Sequence, residues 1–141
     1  MLGVGIHATQ SKRGFVVTNT AQPDLEKYLA SPLLTWAYNY GSKPVGQGST
    51  YPYGNLSFVP MLWGGQNSES FLSTITSEPN YHYVLAFNEP DMRPPSGSNM
   101  LVSEAVSIWN SQIQPLSSFG YKLGSPAGNP QLHEADLHSR K

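Results

Sequence analysis

Short apolar runs alternate along the chain with stretches in which apolar residues recur at helical spacing. Five runs have the length and the β-branched or aromatic content of strands, and they lie at residues 14–18, 34–38, 56–62, 83–87 and 122–126. Three stretches carry apolar side chains three or four positions apart, at residues 25–29, 71–75 and 101–113. Strands that alternate with helices predict an α/β fold with a mostly parallel sheet. Between the second and third strands the sequence predicts a loop rather than a helix.

The predicted helices begin and end at residues that commonly cap helices. Asn67 or Ser68 is the predicted N-cap of the second helix, and Ser98 or Asn99 is that of the third. Gly120 closes the third helical stretch, where a glycine is the residue that most easily adopts a left-handed conformation.

The most informative stretch is residues 81–94, where a predicted strand gives way directly to polar turn residues. Asn88, Glu89, Pro90 and Asp91 follow the apolar run. Because a proline disfavours the helical region for the residue before it, we expect an extended backbone at Glu89. A carboxylate at a strand end can act as a general acid, and the Asn88 amide can both donate to and accept from a hydroxyl. From local sequence alone, the segment is equally consistent with an ordinary loop.

Five short motifs follow one another over residues 12–128 and together resemble a known family. They are Lys12-Arg13-Gly14, Trp36-Ala37-Tyr38-Asn39-Tyr40, Phe58-Val59-Pro60-Met61-Leu62-Trp63-Gly64, Leu85-Ala86-Phe87-Asn88-Glu89-Pro90-Asp91 and Leu123-Gly124-Ser125-Pro126-Ala127. In this order they resemble the N-terminal half of glycoside hydrolase family 128, the fungal glycosyl hydrolase catalytic core, whose members cleave β-1,3-glucan. The resemblance implies a (β/α)8 barrel fold, a glucan as ancestral ligand and Glu89 as the acid/base residue.

The length of the chain limits how much of such a barrel it can form. A (β/α)8 barrel usually needs on the order of 250 residues, whereas this chain has 141. We therefore expect one domain over residues 1–141, with a half barrel at 12–128 and a divergent tail at 129–141. The expected fold is a partial (β/α)8 barrel of about five mostly parallel strands with flanking helices, arranged as an open αβα-type layered sheet.

Retaining glycosidases need a second carboxyl group, about 5–5.5 Å from the acid/base. The resemblance places that nucleophile at the end of a seventh strand, which is absent here. Asp91 is too near the acid/base in sequence, and five other acidic residues fall on predicted helices or their caps. Only Glu134 and Asp136, in the tail, could fold back to serve. Retaining hydrolysis is therefore expected to be severely impaired.

The predicted strand ends and the long loop 42–55 supply candidate sugar-binding groups. Aromatic rings stack on the C–H faces of sugars, while amide and carboxyl groups satisfy their hydroxyls. The candidates are Asn19, Trp36, Tyr38, Asn39, Tyr40, Tyr51, Tyr53, Trp63, Asp91 and Arg93, beside Asn88 and Glu89. Trp36 and Trp63 each have the alternative of packing in the core, because a tryptophan on a strand is more often buried. Arg93 could instead pair with Asp91.

Composition narrows the class of partner. Eight Lys and Arg against nine Asp and Glu give a net charge of −1, with only 12% charged residues, which gives no electrostatic basis for nucleic-acid or membrane binding. Low charge with many Tyr, Asn, Ser and Gly residues is common in secreted carbohydrate-active proteins, so we expect an extracellular or cell-wall location. No signal peptide is visible at the start of the sequence. Asn55-Leu56-Ser57 would be available for glycosylation in a secreted chain.

Cofactor and metal chemistry is not expected from this sequence. Cysteine is absent, which excludes thiolate chemistry and disulfides. His133 and His138 are five positions apart rather than the four that put two histidines on one helical face. We predict neither a metal site nor a cofactor.

Two functions remain, and both assume a glycan partner. The first is a lectin-like, carbohydrate-binding protein derived from a β-1,3-glucanase without efficient hydrolysis. The second is a retaining endo-β-1,3-glucanase whose nucleophile comes from the tail or from a partner chain. An inert fragment is a weaker third possibility. Because half a barrel leaves two strand edges and an apolar face uncovered, we also expect a homodimer.

Overall fold

Five strands and three α-helices alternate in the computed structural model, which describes residues 12–18, 25–45, 53–78 and 80–128. The strands are β1 (Arg13–Val16), β2 (Leu34–Tyr38), β3 (Ser57–Phe58), β4 (Tyr83–Leu85) and β5 (Lys122–Gly124). The α-helices are α1 (Leu25–Leu29), α2 (Phe71–Thr76) and α3 (Val102–Ile108). A 3-10 turn (Ser68–Ser70) precedes α2, while a π-helical turn (Trp109–Ile113) and a 3-10 stretch (Gln114–Phe119) extend α3.

All strand pairs are parallel, and the strands follow their order in the sequence. Strands β1, β2 and β3 form a three-stranded sheet, and β4 pairs with β5. A parallel bridge between Met61 and Leu85 joins these two groups of strands. Around it, the Leu62 amide donates to the Leu85 carbonyl (3.1 Å) and the Leu85 amide to the Pro60 carbonyl (2.9 Å). The prediction of a partial α/β barrel with mostly parallel strands is thereby confirmed.

Strand β3 is shorter than the predicted run 56–62 because its neighbour β2 bulges. The Val59 amide donates to the Ala37 carbonyl (2.8 Å), but the Met61 amide donates to Gly41 (2.9 Å) rather than to residue 39. Between these two partners lies Tyr40, whose φ of 63° is left-handed. A bulge of this kind interrupts the regular ladder although the chain still runs between its neighbours.

Asn67 is at the predicted N-cap position, before the 3-10 turn that leads into α2, whereas the predicted caps Ser98 and Asn99 lie before the N-cap of α3. Asn67 and Asn99 adopt left-handed φ angles of 56° and 48°, and neither α2 nor α3 has a side-chain cap hydrogen bond. Helix α3 starts later than predicted, with Leu101 as its N-cap. Asn99 has a left-handed rather than an extended backbone, and its amide bonds to the Met92 carbonyl (2.9 Å) within the preceding loop. At the other end the prediction is confirmed, since Gly120 closes the helical stretch with φ of 88°.

The core lies between one face of the sheet and the helices. Ala37, Phe58 and Val84 point from the strands into this layer and are 2% exposed or less. On the helical side Phe71, Ile75, Ile113 and Leu116 meet them, again at 2% exposed or less. The opposite face of the sheet is more open, since Trp36 and Tyr38 are half-buried and Tyr83 is 49% exposed.

Within the described residues, no helix has the length and apolar character that a membrane span requires.

Candidate functional site

Asn88 and Glu89 lie at the carboxyl edge of the sheet, where β4 meets the segments that follow β3 and β5. The Asn88 amide donates to the Trp63 carbonyl on one side (2.9 Å), and the Glu89 amide donates to Ala127 on the other (2.9 Å). Asn88 and Ala127 also form a parallel bridge. Both candidate residues are half-buried. The backbone of the pair is therefore fixed from two directions at the edge where parallel α/β folds place their chemistry.

The backbone of Glu89 is left-handed, with φ of 39°, so the expectation of an extended conformation is wrong. For a residue with a side chain this conformation costs about 1–2 kcal/mol. The carbonyl of Glu89 accepts from the amides of Met92 (2.9 Å) and Ser98 (3.2 Å), and these bonds outweigh the local preference set by Pro90. Strained residues that their surroundings hold in this way are concentrated at functional sites.

The loop after Glu89 folds tightly back on itself. The Asn99 amide donates to the Met92 carbonyl (2.9 Å), and the Asn88 side-chain amide donates to the Ser96 carbonyl (2.9 Å). Gly97 is buried where the loop returns, and a Cβ there would lie only 2.3 Å from the Glu89 carbonyl oxygen. Only a residue without a side chain fits this approach. With its nitrogen engaged by Ser96, Asn88 has its side-chain oxygen to offer a ligand hydroxyl.

Three rings form a row along β2. Trp36 and Tyr38 stack with centroids 6.1 Å apart, and Tyr38 and Tyr40 meet edge to face at 5.1 Å. Burial raises the pKa of Tyr38 to about 12, with smaller contributions from the hydrogen bond to Tyr40 and from its charge. Tyr40 is 38% exposed and stands at the carboxyl edge of the sheet. Of the three rings, Tyr40 is the most exposed, and it follows its strand as Glu89 follows β4.

Trp36 is directed toward the start of β1 rather than toward the carboxyl edge. Its indole nitrogen donates to the Lys12 carbonyl (3.2 Å). Its ring covers Gly14, where an added Cβ would lie 2.1 Å from the nearest ring atom. The structure therefore places Trp36 with the packing of the strands and away from Asn88 and Glu89.

Asn39 and Tyr53 support the loop after β2. The Asn39 side-chain nitrogen donates to the Lys43 carbonyl (2.8 Å) and the Tyr53 hydroxyl (3.2 Å), while its oxygen accepts from the Gly41 amide (3.0 Å). Tyr53 is completely buried, and its hydroxyl also accepts from the Val45 amide (3.0 Å). Tyr53 is therefore a core residue rather than the sugar-binding residue we expected, because its ring is buried and its hydroxyl bonds to Asn39 and Val45.

Three further candidates, Trp63, Asp91 and Arg93, follow β3 or β4 at the same edge. Trp63 is half-buried beside Asn88, whereas Asp91 and Arg93 are exposed on the loop that follows Glu89. Asn19 and Tyr51 lie outside the described residues. Glu134 and Asp136, considered as nucleophiles, and His133 and His138, considered as metal ligands, lie outside them as well.

Two glycines after β3 were not recognised from the sequence as part of this edge. A Cβ on Gly64 would lie 2.7 Å from the Ser98 Cβ, and one on Gly65 would lie 2.4 Å from a Glu104 carboxylate oxygen. Loop 89–98 and the start of α3 therefore pack directly against the backbone after β3. The signal was two consecutive glycines at a strand end, which often marks a close approach of another segment.

No cluster of three or more His, Asp or Glu side chains suited to a metal ion occurs within residues 12–18, 25–45, 53–78 and 80–128. The chemistry available at the described edge is thus that of an amide, carboxylates and aromatic rings. These groups suit a ligand rich in hydroxyls with apolar C–H faces.

Solved structures of GH128 proteins are similar to this chain. A structure of a curdlan-specific exo-β-1,3-glucanase of GH128 subgroup III from Blastomyces gilchristii, in complex with glucose, is 27% identical with a TM-score of 0.62, over 84% of this chain and 48% of that one. An oligosaccharide-binding protein of subgroup VII from Cryptococcus neoformans is 30% identical (TM-score 0.62, 84% and 44% covered). Another from Trichoderma gamsii is 28% identical (TM-score 0.57, 84% and 46% covered).

The chain spans about half the length of these solved structures. No curated protein sequence matches it. The family model described as the glycosyl hydrolase catalytic core matches residues 14–137. Because this match covers most of the chain, the chain belongs to the glycosyl hydrolase catalytic core family, and its structural relatives are GH128 proteins.

Proposed function

We propose that this chain is a lectin-like protein that binds β-1,3-glucan or a related oligosaccharide without hydrolysing it efficiently. The observation that carries the proposal is the distribution of carboxylates at the described strand ends. Glu89 and Asp91 both follow β4, and within the described segments no acidic residue stands in the loop directly after β1, β2, β3 or β5. The Glu104 carboxylate that meets Gly65 belongs to α3. A retaining mechanism needs a second carboxyl group about 5–5.5 Å from the first, presented from another direction.

The residues at the edge can bind a sugar without cleaving it. The exposed Tyr40 ring offers a face for the C–H groups of a pyranose. The Asn88 side-chain oxygen and the Glu89 carboxylate accept hydrogen bonds from sugar hydroxyls. The oligosaccharide-binding proteins from Cryptococcus neoformans and Trichoderma gamsii support this function, because they share the fold and 28–30% of the aligned sequence.

The alternative is a retaining endo-β-1,3-glucanase, and the conformation of Glu89 is the observation that favours it. A left-handed glutamate held by the amides of Met92 and Ser98 is more constrained than a hydroxyl acceptor requires. In that case the nucleophile comes from outside the described residues, with Glu134 and Asp136 as candidates in this chain, or from a partner chain.

The quaternary state and the location belong to the same proposal. Neither β1 nor β5 has a second neighbouring strand among the described residues. A two-fold axis parallel to the strands would bring β1 of one copy beside β5 of the other, in parallel and on both sides at once, so we propose a homodimer. An extracellular or cell-wall location is proposed from the low charge of the chain.

The test is calorimetric titration of wild type and Glu89→Gln with laminari-oligosaccharides, with reducing ends assayed in the same samples over a long incubation. Binding without release of reducing ends supports the lectin-like function. Release that Glu89→Gln abolishes establishes the glucanase instead. Absence of both binding and release would overturn both proposals.

Glu69→Gln is the matched control for this experiment. Glu69 is an exposed glutamate on the 3-10 turn before α2, at a distance in sequence from Asn88 and Glu89. The Glu69→Gln variant loses the same charge as Glu89→Gln, and its oligosaccharide binding and activity should equal those of wild type.

A further inference from the structure

The turn that leads into β3 carries a sequence signature that the glycan-binding edge does not use. Asn55 is followed by Leu56 and Ser57, which is the acceptor pattern for N-linked glycosylation. It is the only asparagine in the chain with a serine or threonine two positions later and no proline between. A pattern this short occurs often by chance, so its structural setting decides its value.

The setting presents the acceptor side chain outward. The Leu56 amide donates to the Tyr53 carbonyl (3.1 Å), which closes a tight turn with Gly54 and Asn55 at its centre. Gly54 has φ of 57°, a conformation that favours glycine. Tyr53 and Leu56 are 0% and 4% exposed and anchor the turn in the core.

Both residues that the modifying enzyme reads are on the surface. Asn55 in the turn and Ser57 at the start of β3 are exposed, on either side of the buried Leu56. Ser57 precedes Phe58, which points into the helical layer, so the alternation of side chains along β3 leaves the Ser57 side chain outside that layer. A glycan on Asn55 therefore displaces no core residue.

The turn lies at the edge of the sheet opposite to Glu89. It precedes β3, so it belongs to the amino ends of the parallel strands, near the Leu29 carbonyl that ends α1. Asn88, Glu89 and Tyr40 follow their strands and lie at the carboxyl ends. A glycan at Asn55 would leave the carbohydrate-binding edge open.

We propose that Asn55 is an N-glycosylation site. The donor is a lipid-linked pyrophosphate oligosaccharide, and the transferase of the secretory pathway catalyses the step. The Asn55 side-chain nitrogen attacks C1 of the first sugar and loses one proton. The bond between C1 and the phosphate oxygen breaks, and the lipid pyrophosphate leaves with the electron pair. The proposal rests on the proposed extracellular location but not on what the carboxyl edge binds.

The experiment directs the full chain into the secretory pathway of a yeast with a cleavable leader. Secreted and cell-retained protein are both collected, and the mass of each is measured before and after treatment with a peptide N-glycosidase. We expect wild type to lose the mass of one core oligosaccharide and to carry aspartate at position 55 afterwards. Wild type that has entered the pathway and whose mass is unchanged by the enzyme overturns the proposal.

Four variants separate the acceptor from effects on folding. Asn55→Gln and Ser57→Ala should abolish the mass loss, whereas Ser57→Thr should keep it because the hydroxyl remains. Asn110→Gln is the matched control, since Asn110 is exposed and has serine at the next position but not two positions later. A mass loss that persists in Asn55→Gln, or that disappears in Asn110→Gln, would contradict the assignment.

Discussion

At the scale of single residues, the conformation of Glu89 depends on Gly97. A methyl group at position 97 would lie 2.3 Å from the Glu89 carbonyl oxygen and 2.3 Å from the Met92 Cβ. We expect Gly97→Ala to lower the free energy of unfolding by about 1–3 kcal/mol through overpacking. Because Glu89 must move, oligosaccharide affinity should also fall, by roughly tenfold or about 1.4 kcal/mol. Urea unfolding and calorimetric titration measure the two effects.

Gly120→Ala is the control for this prediction. Gly120 has φ of 88°, and an added Cβ there would meet nothing within 4 Å, so alanine there should cost about 1–2 kcal/mol of stability from backbone strain alone. Its affinity should stay at the wild-type value. Wild-type affinity in Gly97→Ala would show that Gly97 does not position Glu89.

Asn39 and Tyr53 provide a second residue-scale prediction, which separates structural support from ligand contact. Asn39→Asp removes the N–H donors to the Lys43 carbonyl and the Tyr53 hydroxyl. We expect a loss of about 0.5–1.5 kcal/mol in the free energy of unfolding, the usual net contribution of a hydrogen bond, because the Lys43 carbonyl is exposed and water can replace the lost donor. Tyr53→Phe should cost a similar amount, and the double variant should cost less than the sum because the two share one hydrogen bond. A loss of oligosaccharide affinity with unchanged stability would show instead that Asn39 contacts the ligand.

The conformation of Glu89 and the burial of Tyr53 show why part of the site could not be predicted from sequence. The preference that Pro90 sets for Glu89 is local. It is overridden because the Glu89 carbonyl accepts from the Met92 and Ser98 amides and the Glu89 amide donates to the Ala127 carbonyl. Tyr53 stands in a segment rich in turn residues, and its burial depends on Asn39, which is distant in sequence. Asn88 at a strand end was predictable, because the change from apolar to polar residues is itself local.

At the scale of secondary-structure elements, the contact between β1 and β2 depends on Gly14 lying beneath Trp36. An added Cβ on Gly14 would lie 2.1–2.4 Å from three atoms of the indole ring. We expect Gly14→Ala to cost about 1–3 kcal/mol of stability, because the indole ring must give up its position over β1 and its bond to the Lys12 carbonyl. Combining it with Trp36→Leu should recover part of the loss, with a coupling energy of about 0.5–3 kcal/mol in a double-mutant cycle followed by urea unfolding.

Gly124→Ala in β5 is the matched strand glycine for comparison. Its added Cβ would meet the end of the Leu85 side chain at 3.0 Å, and that side chain can move. Its cost should be smaller than that of Gly14→Ala. Equal costs for the two variants would mean that the loss reflects strand propensity rather than the contact with Trp36.

The order and direction of the elements were predictable because both follow from the spacing of apolar residues. Ala37, Phe58 and Val84 alternate with more exposed neighbours in their strands, and alternation of this kind is visible in the sequence. The bulge at Tyr40 could not be predicted, because it needs a left-handed backbone at an aromatic residue. The π-helical turn Trp109–Ile113 was not predicted either. It lies just before Pro115, which lacks the N–H that a regular helix would use at that position.

At the scale of the whole molecule, alkaline pH should weaken the fold. Burial raises the pKa of Tyr81 to about 12, with Glu78 and Tyr53 adding to it, and the pKa of Tyr38 is also about 12. In the unfolded chain a tyrosine has a pKa of about 10. Above that pH the unfolded state loses protons that the folded state keeps, so the free energy of unfolding falls from pH about 10 to about 12. Urea unfolding across this range should show the decline, with a shallower slope in Tyr81→Phe; an identical slope would contradict it.

The two strand edges and the open face of the sheet lead to a prediction about assembly. Tyr83 is 49% exposed on that face, and β1 and β5 each have one neighbouring strand among the described residues. If two copies cover these surfaces, folding and association are linked, and each tenfold rise in protein concentration should add about 1.4 kcal/mol to the free energy of unfolding per mole of dimer. Thermal unfolding over a hundredfold range of concentration measures this, with light scattering on the same samples. A midpoint independent of concentration and the mass of a single chain would rule out the homodimer, while leaving the proposed binding at Asn88 and Glu89 to the calorimetric test.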